Sequence, residues 1–298
     1  MDSAFGPVGF IGLGVMGEPI CRHLARKGGQ PIAGFDHDPA PLARLATEGV
    51  RAAASVGEVG GTANLIFLSL PSGEVVEAVC RDPGGLLANA RAGQVIVDLG
   101  TSAVASTRRL AADFAARGAS FVDAPVARTR AAAEAGTLSV MVGAEPPLFE
   151  RLRPWIATFA TEISLCGGSG CGQVLKILNN MVLFETVVAL SEARAIGRRA
   201  GVEPALLFEV LARGSADSFA LRNHGMKAIV PGDFPERAFP VAYARKDLRY
   251  ALALAGEVGV RASAAELVDD WFERAIAAGD GERYHPVISR LIDDADVS

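Results

Sequence analysis

The sequence predicts an α/β protein in two parts, a doubly wound parallel sheet over residues 1–166 and an all-α domain over residues 167–298. In the first part, short apolar runs of strand type alternate with longer stretches of helical period, the pattern of parallel strands joined by crossover helices. After the glycine cluster at residues 167–172 no further strand-like run occurs. The chain of 298 residues is 50% hydrophobic, which is enough apolar material for a core in each part.

Seven apolar runs are the predicted strands of the first part. They are Val8–Ile11, Pro31–Phe35, Leu65–Ser69, Val95–Leu99, Phe121–Ala124, Leu138–Val142 and Glu162–Leu165. In the second part, the pattern over Gln173–Arg199 predicts one long helix, and Pro204 and Pro286 fit helix starts. A long helix that is apolar over much of its surface is usually buried or shared between subunits, so we expect a homodimer or homotetramer.

Composition and charge argue against several classes of protein. A formal net charge of −5 and a pI near 5.5 leave no basic surface for a nucleic acid. The four cysteines follow no disulfide framework and no targeting segment opens the chain, so we expect a cytoplasmic location. Uninterrupted apolar stretches fall far short of the roughly 20 residues of a membrane helix, and the four histidines lack metal-ligand spacing. We therefore expect no nucleic acid, membrane or metal partner.

A glycine-rich turn directly follows the strand Val8–Ile11 and opens a helical pattern. Its residues are Gly12, Leu13, Gly14, Val15, Met16 and Gly17. Three glycines at this spacing allow a tight turn, close approach of the backbone to a pyrophosphate, and close packing of the helix on the strand, while the helix N-terminus offers free N–H groups. The pattern favours a dinucleotide-binding Rossmann fold over glycines that serve only a turn.

An acidic residue stands where such a site needs one. The second predicted strand leads to Asp36, 19 residues beyond Gly17, where a carboxylate would accept hydrogen bonds from the adenosine ribose. The same carboxylate would repel a 2′-phosphate, and the next residue is His37 rather than an arginine. We therefore predict NAD as the cofactor, in preference to NADP.

The segment Val8–Gly17 resembles the start of the β-hydroxyacid dehydrogenases, the family of 3-hydroxyisobutyrate dehydrogenase and tartronate semialdehyde reductase, and the likeness spans nearly the whole chain. The sequence Leu-Pro-Ser at 70–72 resembles the family's Leu-Pro loop, and Asp98–Ser102 resembles its Asp-x-Ser-Thr segment with Gly100 in place of the usual serine. The resemblance implies that the nicotinamide side of the cofactor is lined by Leu70, Pro71, Ser72 and Thr101. Helix capping is the alternative for the serine and the threonine.

The segment Gly170–Asn180 resembles the family's Gly-x-Gly-x-x-x-Lys-x-x-Asn-Asn stretch, which implies that Lys176 is the proton-transfer residue. On a helix Lys176 and Asn180 share a face, and Asn179 lies to the side of that face. The lysine cation and the asparagine amide can therefore contact the same small ligand. A neutral lysine would take the hydroxyl proton as hydride leaves the carbon, and its ammonium form would return it in reduction. This chemistry requires a lysine pKa below the usual value of about 10.4; a lysine at the rim of a buried helix would instead keep its ammonium in water.

The segment Asp123–Val126 resembles the family's Asp-Ala-Pro-Val substrate signature, which usually continues with Ser-Gly-Gly. Here the chain continues with Ala127, Arg128 and Thr129. A guanidinium offers a planar fork of donors to a carboxylate or to a three-oxygen anion, and the Arg-Thr pair is similar to that of sulfolactaldehyde reductases in this family. We expect the substrate anion, carboxylate or sulfonate, to be held by Arg128, Thr129, Asn179 and Asn180. The alternative is an arginine that points to solvent.

Lys246, Ser218 and Phe219 complete the predicted site. Lys246 belongs to a Lys-Asp-Leu segment that resembles the family's, which implies a place beside the cofactor and substrate, and Asp247 would support it or cap a helix. Ser218 and Phe219 would close the same cleft, the alternative being a loop and a core aromatic.

These residues together predict an NAD-dependent dehydrogenase that interconverts a small anionic hydroxyacid and its aldehyde or ketone. Three other functions remain open: a sulfolactaldehyde reductase, an imine reductase, and a catalytically silent nucleotide-binding homologue. The resemblance disfavours the last two, because related proteins of those kinds typically lack the lysine that stands at Lys176 here.

Overall fold

The computed structural model describes residues 5–236 and 238–294. The chain divides into two compact units at Lys176, the first built on a sheet with helices and the second helical in its described residues. This confirms the predicted fold class. The domain boundary that the glycine cluster predicts, after residue 166, stays a prediction.

Helices flank the sheet of the first unit. They are α1 (Gly17–Gly28), α2 (Pro39–Ala46), α3 (Val56–Thr62), α4 (Gly73–Arg81), α5 (Val104–Ala115), α6 (Arg130–Ala135) and α7 (Pro146–Ile156), with a 3-10 turn at Leu87–Asn89. The strands are β1 (Val8–Ile11), β2 (Ile32–Phe35), β3 (Val50–Ala52), β4 (Leu65–Leu68), β5 (Val95–Asp98), β6 (Ser120–Asp123), β7 (Val126–Ala127), β8 (Leu138–Gly143) and β9 (Ala160–Gly167).

The strands pair in the order β3-β2-β1-β4-β5-β6-β8-β7, with β9 parallel to β8. Both faces of the central strands β1, β4 and β5 are buried, as a doubly wound arrangement requires. Along β4, Leu65 and Phe67 pack into one core cluster while Ile66 and Leu68 pack into the other, and all four are fully buried. The alternation follows from the period of two along a strand.

Seven strands are those that the apolar runs predict, with ends displaced by at most two residues. The strands β3 and β7 are missing from the prediction, because only Val50 of β3 is buried and both residues of β7 are half-buried. The predicted parallel sheet has one antiparallel edge that the prediction did not include, where β8 runs antiparallel to β6 and β7. The chain between β6 and β8 contains β7, which pairs antiparallel with β8, and the six-residue α6.

The second unit is built from helices. They are α8 (Cys171–Arg199), which begins in the first unit, α9 (Pro204–Leu211), a π-helix (Leu221–Ile229), α10 (Val241–Glu257), α11 (Ser263–Ala277), a 3-10 turn (His285–Val287) and α12 (Ile288–Asp294). The predicted long helix and the predicted start at Pro204 are confirmed. Pro286 lies in the 3-10 turn that leads into α12.

By length and composition alone α8 would suffice to cross a membrane. It has 29 residues, and the mean hydropathy of its most apolar stretch is 1.5. The uninterrupted apolar runs of the sequence are too short to predict a membrane helix. In α8 polar residues interrupt the apolar ones, so this helix is not among those runs. Core helices of globular domains meet the same criterion, and Phe184, Val187 and Val188 of α8 belong to the core of the second unit.

A pair of buried histidines lies in that core. His285 is fully buried against Phe184, Phe239 and Phe272, with ring centroids 5.1, 5.4 and 6.4 Å away. The ring of His224 lies 5.2 Å from it and its Nδ1 is hydrogen-bonded to the Tyr284 hydroxyl. Burial lowers the pKa of His224 to about 4. The pKa of His285 lies well below its usual value, mainly because the ring is buried and also because His224 is close to it.

The stability of the fold should therefore fall as the pH drops from neutral. The unfolded chain takes up protons on these histidines near pH 6.5 while the folded chain does not, so lowering the pH favours unfolding, by about 2 kcal/mol for His224 alone at pH 5. We expect the urea midpoint to fall between about pH 7.5 and about pH 5, and to fall less in His285→Phe, whereas the exposed control His37→Ala should behave like the parent. An equal fall in all three proteins would contradict this origin.

Candidate active site

The glycine loop joins β1 to α1 and contains two positions that only glycine fits. Gly12 has a φ of +90°, and a Cβ there would overlap the carbonyl oxygen of Ser69. A Cβ at Gly17 would overlap the carbonyl oxygen of Gly12. Gly14 differs, because it is exposed and a Cβ there would meet nothing within 4 Å. Packing explains Gly12 and Gly17, and the open space over Gly14 fits the pyrophosphate of a bound dinucleotide.

Asp36 lies directly after β2, beside this loop. Its Oδ2 accepts the backbone N–H of Leu13 at 2.5 Å, and its Oδ1 accepts that of Asp38 at 2.8 Å. The structure thus places the glycine loop and Asp36 side by side, as the 19-residue spacing between Gly17 and Asp36 predicts. Because a carboxylate accepts several hydrogen bonds, its oxygens retain acceptor capacity for ribose hydroxyls.

The loops after β4 and β5 reach the same carboxyl edge of the sheet. Leu70 is half-buried and Pro71 is exposed. Ser72 is the N-cap of α4, where its Oγ accepts the N–H of Val75 at 3.4 Å, so the capping alternative holds at this residue. Thr101 is half-buried and lies before Ala103, the N-cap residue of α5, so it is not the capping residue of that helix.

Two buried residues of this edge had no predicted role. Asp123 ends β6 and accepts the N–H of Gly170 at 2.8 Å and that of Gln173 at 2.9 Å. The Gln173 amide accepts the N–H of Ser102 at 3.0 Å and donates to the carbonyl of Gly100 at 2.9 Å. Burial raises the pKa of the Asp123 carboxyl, and its backbone hydrogen bonds act in the opposite direction. Two sequence signals mark Asp123: its carboxylate ends an apolar strand, and it opens the Asp-Ala-Pro-Val segment that resembles the family's signature.

Lys176 lies in the second turn of α8, which begins at Cys171. Its side chain is half-buried. Asn180 follows one turn later and is buried, with 2% of its surface exposed, whereas Asn179 is exposed and donates to the Asn180 side-chain oxygen at 3.2 Å. The helix thus places Lys176 and Asn180 on one face, as the spacing predicts.

Within the second unit, Asp247 contacts two of the predicted site residues. Its Oδ2 accepts the amide N–H of Asn180 at 2.8 Å, and its Oδ1 lies 3.1 Å from the Lys246 Nζ. That ammonium also lies over the rings of Tyr243 and Tyr250, 4.5 and 5.4 Å from their centroids. Asp247 is inside α10 rather than at its start, so the capping alternative is wrong and the supporting role agrees with the geometry.

Arg128 has an unusual backbone. Its φ of +85° is the only positive value at a non-glycine residue among the described positions, and it falls where the family usually has glycine. The guanidinium is exposed and donates to the carbonyl of Thr137 at 2.6 Å and to the hydroxyl of Thr161 at 3.3 Å. Thr129 is exposed at the N-cap of α6, without a side-chain capping bond.

Ser218 and Phe219 precede the π-helix of the second unit. The Ser218 Oγ accepts the N–H of Leu221 at 3.0 Å, so this side chain has a local structural role. The Phe219 ring is 59% exposed and lies 6.0 Å from that of His224. The alternative of a core aromatic at this position is therefore wrong. The described residues contain no group of three His, Cys, Asp or Glu side chains able to hold a metal.

Comparison with families of known proteins shows the general class to which this chain belongs. A family model described as the NAD binding domain of 6-phosphogluconate dehydrogenase matches residues 7–168, and a model described as NAD-binding of NADP-dependent 3-hydroxyisobutyrate dehydrogenase matches residues 170–292. The chain is thus a pyridine-nucleotide-binding oxidoreductase with a Rossmann domain followed by a helical region.

The relatives define the family. The 2-(hydroxymethyl)glutarate dehydrogenase of Eubacterium barkeri is 35% identical over 92% of this chain and 90% of its own length. The 2-hydroxy-3-oxopropionate reductase of Escherichia coli K12 is 31% identical over 96% and 97%. The solved structure of Mycobacterium tuberculosis 3-hydroxyisobutyrate dehydrogenase with L-serine has a TM-score of 0.88 at 29% identity, covering 96% of this chain and 99% of that one. The chain belongs to the β-hydroxyacid dehydrogenase family.

The open space over Gly14 yields a prediction about cofactor binding. Gly14→Ala adds a methyl group that meets no protein atom within 4 Å, so the thermal midpoint of the unliganded protein should stay within about 2 °C of the parent. The same methyl would occupy the approach of the pyrophosphate, so the Kd for NAD should rise at least about tenfold in calorimetric titration. Gly61→Ala, at another position with open space, is the matched control. Unchanged NAD binding in Gly14→Ala would place the dinucleotide elsewhere.

Proposed function

We propose that this chain is an NAD-dependent dehydrogenase that interconverts a small β-hydroxyacid of the 3-hydroxyisobutyrate kind and its semialdehyde. The observation that supports this most is the attachment of the lysine helix to the cofactor edge of the sheet. The first turn of α8 is hydrogen-bonded to residues at the ends of β5 and β6. These strands belong to the sheet that also contains β1, which leads into the glycine loop. Ligands of open α/β sheets lie outside this edge.

A nicotinamide held at this edge would supply hydride-transfer chemistry at the substrate carbon. Lys176 handles the accompanying proton: in oxidation its neutral amine takes the hydroxyl proton as the carbon–oxygen double bond forms, and in reduction its ammonium returns a proton to the carbonyl oxygen. Gly12, Gly14, Gly17 and Asp36 hold the dinucleotide. The family resemblance supplies the remaining roles: Leu13, Val15, Met16, Leu70, Pro71, Ser72, Thr101 and Lys246 toward the cofactor, and Arg128, Thr129, Asn179, Asn180, Ser218 and Phe219 toward the substrate.

The proposed preference for NAD rests on Asp36. Its carboxylate is hydrogen-bonded to the backbone N–H groups of Leu13 and Asp38, which fixes a negative charge beside the glycine loop. A 2′-phosphate at that place would meet this charge with no arginine next to it in sequence, whereas a ribose diol would meet a hydrogen-bond acceptor.

The substrate anion is proposed to be a carboxylate, with a sulfonate as the second candidate. Arg128 and Thr129 favour the second candidate, because they stand where the family usually has the two glycines of its Ser-Gly-Gly continuation. In the structure one nitrogen of the guanidinium already donates to Thr137 and Thr161. That pairing leaves other N–H groups of the planar fork for either anion.

We also propose that the chain forms a homodimer or homotetramer. Several apolar side chains of α8 and α9 are exposed in the single chain, among them Val182 (56%), Ile196 (69%), Leu206 (55%) and Val210 (56%). Exposed apolar surface of this kind is stabilised by association with a second copy.

Substitution of Lys176 tests the proposed proton transfer. Lys176→Ala should lower kcat by at least about 100-fold, because no acid or base replaces the amine, while the Kd for NAD changes less than about twofold. Lys176→Arg should be equally impaired, since a guanidinium keeps the charge but does not release its proton at working pH. Lys227→Ala, which removes an exposed lysine of the second unit, should retain the parent's turnover. Parental turnover in both Lys176 variants would refute the proposal.

A further inference from the structure

The carboxylate of Asp123 is fully buried and directed at the first turn of α8. Each of its oxygens accepts a different backbone N–H of that segment, Oδ1 from Gly170 and Oδ2 from Gln173. Two bonds from one rigid carboxylate to two points of a helical turn restrict rotation of that turn as well as translation. A single capping hydroxyl would restrict neither as fully.

Glycines allow the helix to approach this carboxylate. A Cβ at Gly143 would overlap Asp123 Oδ1, and a Cβ at Gly172 would overlap the carbonyl oxygen of Met141 and lie 2.8 Å from Asp123 Oδ2. Gly172 belongs to α8 and Gly143 ends β8. The first turn of the helix therefore packs directly on strand backbone around the Asp123 carboxylate, with no flexible side chain between them.

Gln173 connects the same turn to the loop after β5. Its amide binds Ser102 and Gly100, the two neighbours of Thr101, through one accepted and one donated hydrogen bond. Asp98, at the end of β5, binds the same loop: its carboxylate accepts hydrogen bonds from the N–H of Gly100 at 2.9 Å and from the hydroxyl of Ser102 at 2.8 Å. Asp98, Ser102, Gln173 and Asp123 are all at most 2% exposed. A continuous buried polar network thus joins the ends of β5 and β6 to the helix.

We propose that Asp123 and Gln173 are positioning residues for proton transfer: they fix the first turn of α8 so that Lys176 meets the reacting oxygen, an inference that rests on the proposed function. Lys176 follows Gln173 by three residues, about 4.5 Å along the helix axis, so a displacement or rotation of the first turn passes almost entirely to the lysine. Misplacement of a catalytic group by about 1 Å costs on the order of 100-fold in rate.

A double-mutant cycle tests this inference, with Asp123→Asn and Lys176→Ala combined and separate. Asparagine keeps the shape but presents an N–H where one of the two backbone donors needs an acceptor. If Asp123 acts through the lysine, Asp123→Asn should lower kcat by about 10- to 100-fold in the parent with the KM for NAD changed less than about twofold. In the Lys176→Ala background the same substitution should lower the residual rate by less than about twofold, because the group that it positions is absent.

Equal losses in the two backgrounds, or an unchanged kcat in Asp123→Asn, would overturn the inference, since a merely structural residue lowers both rates alike. If Lys176→Ala itself keeps the parent's turnover, the proposed function fails instead, so the two failures are distinguishable.

Gln173→Ala provides a second test if Asp123→Asn does not fold. Its matched control is Gln94→Ala. Gln94 directly precedes β5, is also buried, and its amide makes two hydrogen bonds of 2.8 Å, to the carbonyls of Gly60 and Ala63. Both variants should lose similar thermal stability, whereas only Gln173→Ala should lose turnover by about tenfold or more. Similar turnover in the two glutamine variants would contradict the positioning role.

Discussion

Close contact between backbones at the carboxyl edge of the sheet is the constraint on which the candidate site depends. At Gly12 and Gly17 the loop after β1 packs against the end of β4, and at Gly172 the start of α8 packs against β8. Any side chain at these positions would separate elements that must lie a few ångströms apart. The cofactor loop and the lysine helix therefore occupy the same edge of one rigid sheet, which is where open α/β sheets bind their ligands.

The helix α8 is held in each unit by a buried carboxylate. In the first unit Asp123 binds its first turn, and in the second unit Asp247 binds Asn180. The two contacts fall on either side of Lys176 along one helix. Burying a carboxylate is costly unless its oxygens accept hydrogen bonds, so each of these two carboxylates depends on its bonds to the helix. The proposed lysine chemistry thus depends on residues that do not react.

The sequence predicts the fold well because the central strands of the sheet are buried on both faces and are therefore uninterrupted apolar runs. It misses β3 and β7, whose few residues are mostly exposed or half-buried, and the antiparallel edge that β7 forms with β8. The glycine loop and Asp36 are recognisable because their spacing is local to one βαβ unit. The bonds of Asp123 to Gly170 and Gln173 span 47 and 50 residues, so no local pattern reveals them. The positive φ of Arg128 is equally hidden, since it occurs at a residue that rarely adopts it.

The central claim is the oxidation of a small β-hydroxyacid with NAD, and the most direct measurement is the initial rate of NAD reduction by the purified protein across a substrate panel. The panel comprises 3-hydroxyisobutyrate, serine, glycerate, threonate and sulfopropanediol, each with NAD and with NADP. The account predicts turnover of at least one β-hydroxycarboxylate with a lower KM for NAD than for NADP. Turnover of the sulfonate alone, or a lower KM for NADP, would contradict it.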